Sequence, residues 1–109
     1  MDIFTALAEP TRRNILEMLA ANGNLSATEI YQKFRSSPPA ISQHLKVLRD
    51  ANLVRVERQA QKRIYYVNPE PMHELEMWIK RFTRDWQERH DALEDLLKRE
   101  MAKPSEPTA

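Results

Sequence analysis

Apolar positions recur at helical spacing through the first half of the chain, alternate with polar ones between residues 53 and 67, and then return to helical spacing almost to the end. Asp2 is placed to cap a short helix running to Ala8, with Ile3, Phe4 and Leu7 along one side. Pro10 opens a second helix, since a first-turn position has no hydrogen-bonded N–H to lose. Ile15, Leu16, Met18 and Leu19 follow at core-facing spacing until Asn22-Gly23 ends it. Ser26 and Glu29 have the spacing of a capping box, in which each side chain satisfies a backbone N–H of the other residue. A third helix is therefore expected from Ala27 to Phe34, with Ile30 and Phe34 inward.

Arg35-Ser36-Ser37-Pro38-Pro39 reads as a polar turn ending in a cap residue and prolines suited to a helix start, so a fourth helix is expected from Pro39 to Ala51. Ile41, Leu45 and Leu48 fall within about 60° of one another on its surface, with Gln43, Lys46 and Asp50 on the opposite side. Asn52 suits a left-handed cap. Leu53 to Arg58 and Arg63 to Val67 are rich in Val, Ile and Tyr, and Gln59-Ala60-Gln61-Lys62 joins them, which predicts a β-hairpin. Asn68-Pro69-Glu70-Pro71 breaks the strand, and residues 72–102 predict one long helix. Residues 103–109, with two prolines, read as a disordered tail.

The fold class that follows is mainly α with a small β-hairpin. The element order is that of a winged helix-turn-helix with a long C-terminal dimerisation helix, residues 1–102 forming one DNA-binding and dimerisation domain. A chain of 109 residues holds one ordinary domain. The absence of Cys excludes disulfides and thiolate metal sites, and no apolar run approaches the roughly 20 residues of a membrane span, so a cytoplasmic location without membrane contact is expected. Net charge is only +1, but it is unevenly distributed. Residues 1–34 carry three basic against four acidic side chains, residues 35–68 seven against two, and residues 69–109 seven against ten. The +5 segment coincides with the fourth helix and the hairpin, the two elements that would meet DNA: a helix fits the roughly 12 Å major groove, and a hairpin can lie on the neighbouring backbone.

Ala8-Glu9-Pro10-Thr11-Arg12-Arg13-Asn14-Ile15-Leu16, then Ala40-Ile41-Ser42-Gln43-His44-Leu45-Lys46-Val47-Leu48-Arg49, Leu53-Val54 and Tyr65 resemble the ArsR-type (arsenic-repressor-like) family of winged-helix repressors. The resemblance implies a homodimer, formed by the first and last helices, that represses by occupying an operator on double-stranded DNA. On its positions Ser42, Gln43 and His44 match the groove-facing stretch and Ser37 its opening residue, while Arg58, Lys62 and Arg63 lie where the wing meets phosphate or the minor groove. Lys46, on the displayed side of the helix, joins them. Gln43 can pair bidentately with adenine, and Ser42 can serve base or phosphate. Pro38 stands where many members have a polar residue, and Ala60-Gln61 where many have Gly-Arg. Alternatives stay open at three places: His44 as a half-buried histidine beside Leu45, Arg12 and Arg13 as plain surface charges, and Ser42 as a small surface residue.

Many members of that family sense metals. Here Ile30-Tyr31-Gln32-Lys33 occupies the place of the cysteines in thiol-sensing relatives, and the last helix offers only His73 and His90, far short of a closed tetrahedral site, so neither metal nor cofactor is expected. That helix carries an apolar stripe instead: Leu75, Trp78, Ile79, Phe82, Trp86, Leu93, Leu96 and Leu97. With Ile3, Phe4 and Leu7, the stripe through Leu93 is the expected homodimer interface. Packing on its own domain, or binding a small apolar effector or partner protein between Trp78 and Trp86, are the other readings. The sequence holds no recognisable catalytic set, so an enzyme is not expected. A winged-helix module for protein partners, without specific DNA binding, is the alternative function.

Overall fold

The computed structural model describes residues 2–102; the tail expected to be disordered lies outside them. The chain runs α1 (Ile3–Leu7), α2 (Pro10–Asn22), β1 (Leu25–Ser26), α3 (Ala27–Lys33), α4 (Pro38–Asp50), β2 (Val54–Gln59), β3 (Lys62–Val67) and α5 (Pro69–Ala102). Local chemistry explains most of these boundaries. The Asp2 carboxylate accepts from the Thr5 N–H at 2.8 Å at the start of α1. The Glu9 carboxylate does the same for the Arg12 N–H at 3.0 Å at the start of α2. Gly23, at φ 83°, ends α2 in a conformation that a side chain would strain. Ser26 and Glu29 form the expected capping box, and these bonds hold the Glu29 carboxyl below its ordinary pKa, Ser26 first.

Several expectations need correction. The hairpin is part of a three-stranded antiparallel sheet in the order β1-β3-β2, because Leu25 and Ser26 pair with Tyr65 and Ile64. Two residues are too few to show alternation, and Ser26 also serves as the cap of α3. Helix α4 starts at Pro38, one residue early, since Ser37 is the cap and both prolines fit the first turn, where an absent N–H costs nothing. Helix α5 starts at Pro69 and not at 72, for the same reason: Pro69 and Pro71 both stand in its first turn. There Asn68, buried, accepts from the Glu70 N–H at 3.4 Å and donates its amide to Asn52 O at 2.9 Å.

Residues up to His73 form one compact unit, and α5 from Glu74 onward forms a second. In the first, Ile15 and Leu19 of α2, Ile30 of α3 and Ile41, Leu45 and Leu48 of α4 close over Leu53, Val54 and Tyr65. Ile3 and Leu7 of α1 pack against this core, whereas Phe4 points outward, 52% exposed. Burying the i, i+4, i+7 face of α4 fixes which side chains it displays.

The hairpin loop is two residues long, Ala60-Gln61, because Gln59 pairs with Lys62. Ala60 sits at φ 55°, where a Cβ costs roughly 1 kcal/mol. Ala60→Gly is expected to stabilise the fold by about 0.5–1 kcal/mol, raising Tm by a few degrees. A lower Tm in thermal denaturation would show that the loop relaxes in solution.

Candidate nucleic-acid interface

A four-residue connection from Phe34 to Ser37 joins α3 to α4. Ser37 is fixed as the cap, its hydroxyl accepting from the Ala40 N–H at 3.3 Å. The apolar face of α4 is buried in the core, so Ser42, Gln43, Lys46 and Arg49 are left exposed. Ser42, Lys46 and Arg49, spaced four and three apart, share the edge turned toward the hairpin.

Strand register decides which hairpin cations join them. Successive side chains on a strand point to opposite faces. Val54 and Val67, Val56 and Tyr65, and Arg58 and Arg63 are cross-strand pairs on one face, the face that packs on the core. Beyond the last apolar pair, Arg58 and Arg63 extend that face past the core beside α4. Arg63 lines two adjoining clefts, and Arg58 the second of them. One, of about 370 Å³, is bounded by Ser42, Leu45, Lys46, Arg49, Asp50, Arg63 and Tyr65. The other, of about 230 Å³, is bounded by Arg49, Val56, Arg58 and Arg63. Four cations from a helix and a hairpin thus converge, against the single carboxylate of Asp50.

The hairpin's one carboxylate, Glu57, is kept on the other face. There the Tyr66 hydroxyl donates to Glu57 at 3.0 Å, and Arg55 lies 3.9 Å from Glu70. Lys62 belongs to this outer face, paired with Gln59, and its charge is close enough to help lower the Glu29 carboxyl pKa. Of the expected site residues, then, Ser42, Lys46, Arg58 and Arg63 are brought together, and Lys62 is directed elsewhere.

His44 is held from behind. Its ring is 23% exposed, with Nδ1 3.3 Å from the Arg12 guanidinium and 3.8 Å from the Glu9 carboxylate. The two contacts ask for different ring states, because Arg12 needs a lone pair on Nδ1 and Glu9 needs a proton there. The shorter one fits a ring protonated on Nε2. Loss of water pushes the Glu9 carboxyl up, but hydrogen bonding from Arg12 and attraction to His44 outweigh it and hold the pKa below the usual value. Arg12 also donates to Ala6 O at 2.6 Å and Thr5 O at 3.2 Å, and Arg13 to Leu7 O at 2.7 Å. Both arginines therefore cap the free carbonyls at the end of α1, and Arg12 links that end to α4.

A short helix, a four-residue turn, an exposed second helix and a cationic hairpin beside it match known proteins. The helix-turn-helix domain family matches residues 7–57. The transcriptional repressor SdpR of Bacillus subtilis is 33% identical over 81 residues, covering 74% of this chain and 89% of that protein. The HTH-type transcriptional regulator Rv2034 of Mycobacterium tuberculosis is 42% identical over 77 residues, covering 71% of each. A solved ArsR family transcriptional regulator, 30% identical, superimposes with a TM-score of 0.70 over 78% of this chain and 87% of its own. The chain belongs to the ArsR family of winged helix-turn-helix transcription regulators.

Within this ArsR-family chain, sequence reasoning overlooked Arg49. Its spacing from Ser42 and Lys46 puts the three on one edge of α4, but that the hairpin faces this edge is decided by tertiary packing. The place of Arg12 in the Glu9-Pro10-Thr11-Arg12-Arg13 motif is structural, and it depends on α1 and α4 meeting in space. Among the described residues, no group of three or more His, Asp or Glu side chains is arranged to hold a metal ion, and no helix is long and apolar enough to cross a membrane.

Proposed function

We propose that this chain is a transcriptional repressor that occupies an inverted-repeat operator as a homodimer, acting in the cytoplasm with residues 1–102 as its working domain. The observation that carries the reading is the convergence of Lys46, Arg49, Arg58 and Arg63 on two adjoining clefts between α4 and the hairpin. Phosphate contacts of this kind set register and affinity, and base edges read by neighbouring side chains set sequence. Ser42 and Gln43, exposed on the same helix, are assigned to base edges, and Ser37 and Lys62 to flanking backbone. His44, held at Nδ1 by Arg12, ties α4 to the end of α1.

A second copy covers Trp78, Ile79, Phe82, Trp86 and Leu93 of α5. The operator expected for such a dimer is an inverted repeat with half-site centres about 34 Å apart, one turn of duplex. Titrating the protein against duplex DNA from its own promoter region in a gel shift tests this. The expected result is a salt-sensitive complex at least a hundredfold tighter than with random duplex. Equal affinity for both at physiological salt would defeat specific repression.

A further inference from the structure

Helix α4 is held at its edges as well as on its buried face. At about 100° of turn per residue, Ser42, Lys46 and Arg49 lie about 100° to one side of the centre of Ile41, Leu45 and Leu48, toward the hairpin, and His44 lies about 70° to the other. What meets His44 there is the half-buried Arg12 of α2. Each of the three guanidinium nitrogens of Arg12 has its own acceptor: Nε donates to Ala6 O at 2.6 Å, Nη2 to Thr5 O at 3.2 Å, and Nη1 to His44 Nδ1 at 3.3 Å. The side chain is thus anchored on two carbonyls of α1 and presents its remaining nitrogen to α4.

A planar guanidinium fixed at two points is a rigid stop. If α4 turns about its own axis, it carries His44 off that stop. A turn of about 10° moves a side chain at the helix surface by about 1 Å. That is enough to spoil the bidentate geometry open to Gln43, the residue next to His44. The stop works in one ring state, because Nδ1 accepts from Arg12 only while it keeps a lone pair. A proton there sets two donors face to face, and the Glu9 carboxylate, 3.8 Å away, becomes the better partner. Loss of water pushes the Glu9 carboxyl up, but the Arg12 N–H and the attraction to His44 hold it below its ordinary pKa, so it is ionised and ready to receive the ring. Arg12 and Glu9 are the charged groups that α2 and its cap turn toward His44, and α1 contributes the two carbonyls that anchor Arg12.

We propose that Arg12 is a positioning residue for operator binding: through His44 Nδ1 it fixes the rotation of α4, and a proton on that nitrogen passes the ring to Glu9 and releases the helix. The proposal rests on the operator reading above and adds a residue that acts without touching DNA, together with the ring state that gates it. Its sign opposes plain electrostatics. Extra positive charge on a DNA-binding helix tightens binding to any duplex, whereas release of α4 weakens the specific complex alone.

Histidine changes charge between about pH 8 and pH 5, so duplex from the promoter region and random duplex are each titrated at both ends of that range. The quantity read is the ratio of the two affinities. In the parent protein the ratio is expected to fall about tenfold on acidification, the worth of one good base contact. Arg12→Gln should show the lowered ratio at both pH values, with an unchanged slope of log affinity against log salt, because no phosphate contact is lost. His44→Asn offers Arg12 an amide oxygen near the place of Nδ1 and takes up no proton, so its ratio should not move with pH. His73 and His90 remain in that variant, which separates their titration from that of His44. Should Arg12→Gln fail to fold, the parent and His44→Asn decide the matter by themselves. A parent ratio that holds or rises in acid overturns the proposal, as does an Arg12→Gln slope shallower by about 0.9 or more, which would make Arg12 a phosphate contact. Absence of any preference for the promoter duplex at pH 8 overturns the operator reading as well.

Discussion

Reversing Arg49 and Arg63 to Glu together is expected to lower operator affinity at least a hundredfold at physiological salt, with the melting temperature nearly unchanged. Both side chains are exposed and neither supports the core, so stability has little to lose. Binding has much to lose. Arg49 borders both clefts, as does Arg63, and the two stand on different elements, so a phosphate bound between them would be held from both sides. Each phosphate contact removed from duplex binding takes about 0.9 from the slope of log affinity against log salt, and a dimer presents the pair twice. The reversed protein should therefore bind more weakly and also show a shallower salt dependence. Lys62→Glu is the internal control: its side chain faces away from the clefts, and the expected loss is about tenfold at most. A double variant that binds within threefold of the parent in fluorescence anisotropy would remove the cleft from the path of the DNA.

The contrast between Lys62 and Arg63 shows what could be read from the sequence and what could not. Both were visible as hairpin cations, and a +5 segment marked the right third of the chain. Which cation faces α4 depends on register, and register follows from the loop length. A four-residue joint was expected; a two-residue loop is present, and it exists because Ala60 accepts a positive φ that no sequence signal demanded. Once Gln59 is known to pair with Lys62, the alternation along β3 places Arg63 on the core side without further information.

Helix starts were legible because they are decided within a few residues. Asp2, the pair Ser26 and Glu29, and Ser37 each cap a helix with their own side chain. Pro69 and Pro71 misled for a related reason: proline ends a helix from within but is accepted in its first turn, and only Asn68, which accepts from Glu70 and ties the segment to Asn52, shows which applies. The short β1 and the Arg12 link to His44 escaped because they exist only through partners distant in sequence.

Replacing Trp86 with Asp should yield a monomer that no longer binds the operator yet retains its helix content. In the single chain the Trp86 ring is 55% exposed and stacks on His90 at 4.9 Å, on a helix whose residues from Glu74 onward form their own unit. Covering about 100 Å² of apolar surface on each of two copies contributes roughly 5 kcal/mol at 25 cal/mol per Å². Loss of that burial weakens association by about a thousandfold or more. A carboxylate left between two helices adds the cost of a charge taken from water without a partner. Operator binding falls with it, because one copy grips only a half-site and forfeits the affinity gained by joining two. Trp78→Asp, on the same stripe, should behave alike. Sedimentation gives the decisive measurement: dimers at micromolar concentration for either variant would mean that the aromatic face of α5 is covered by something other than its own copy.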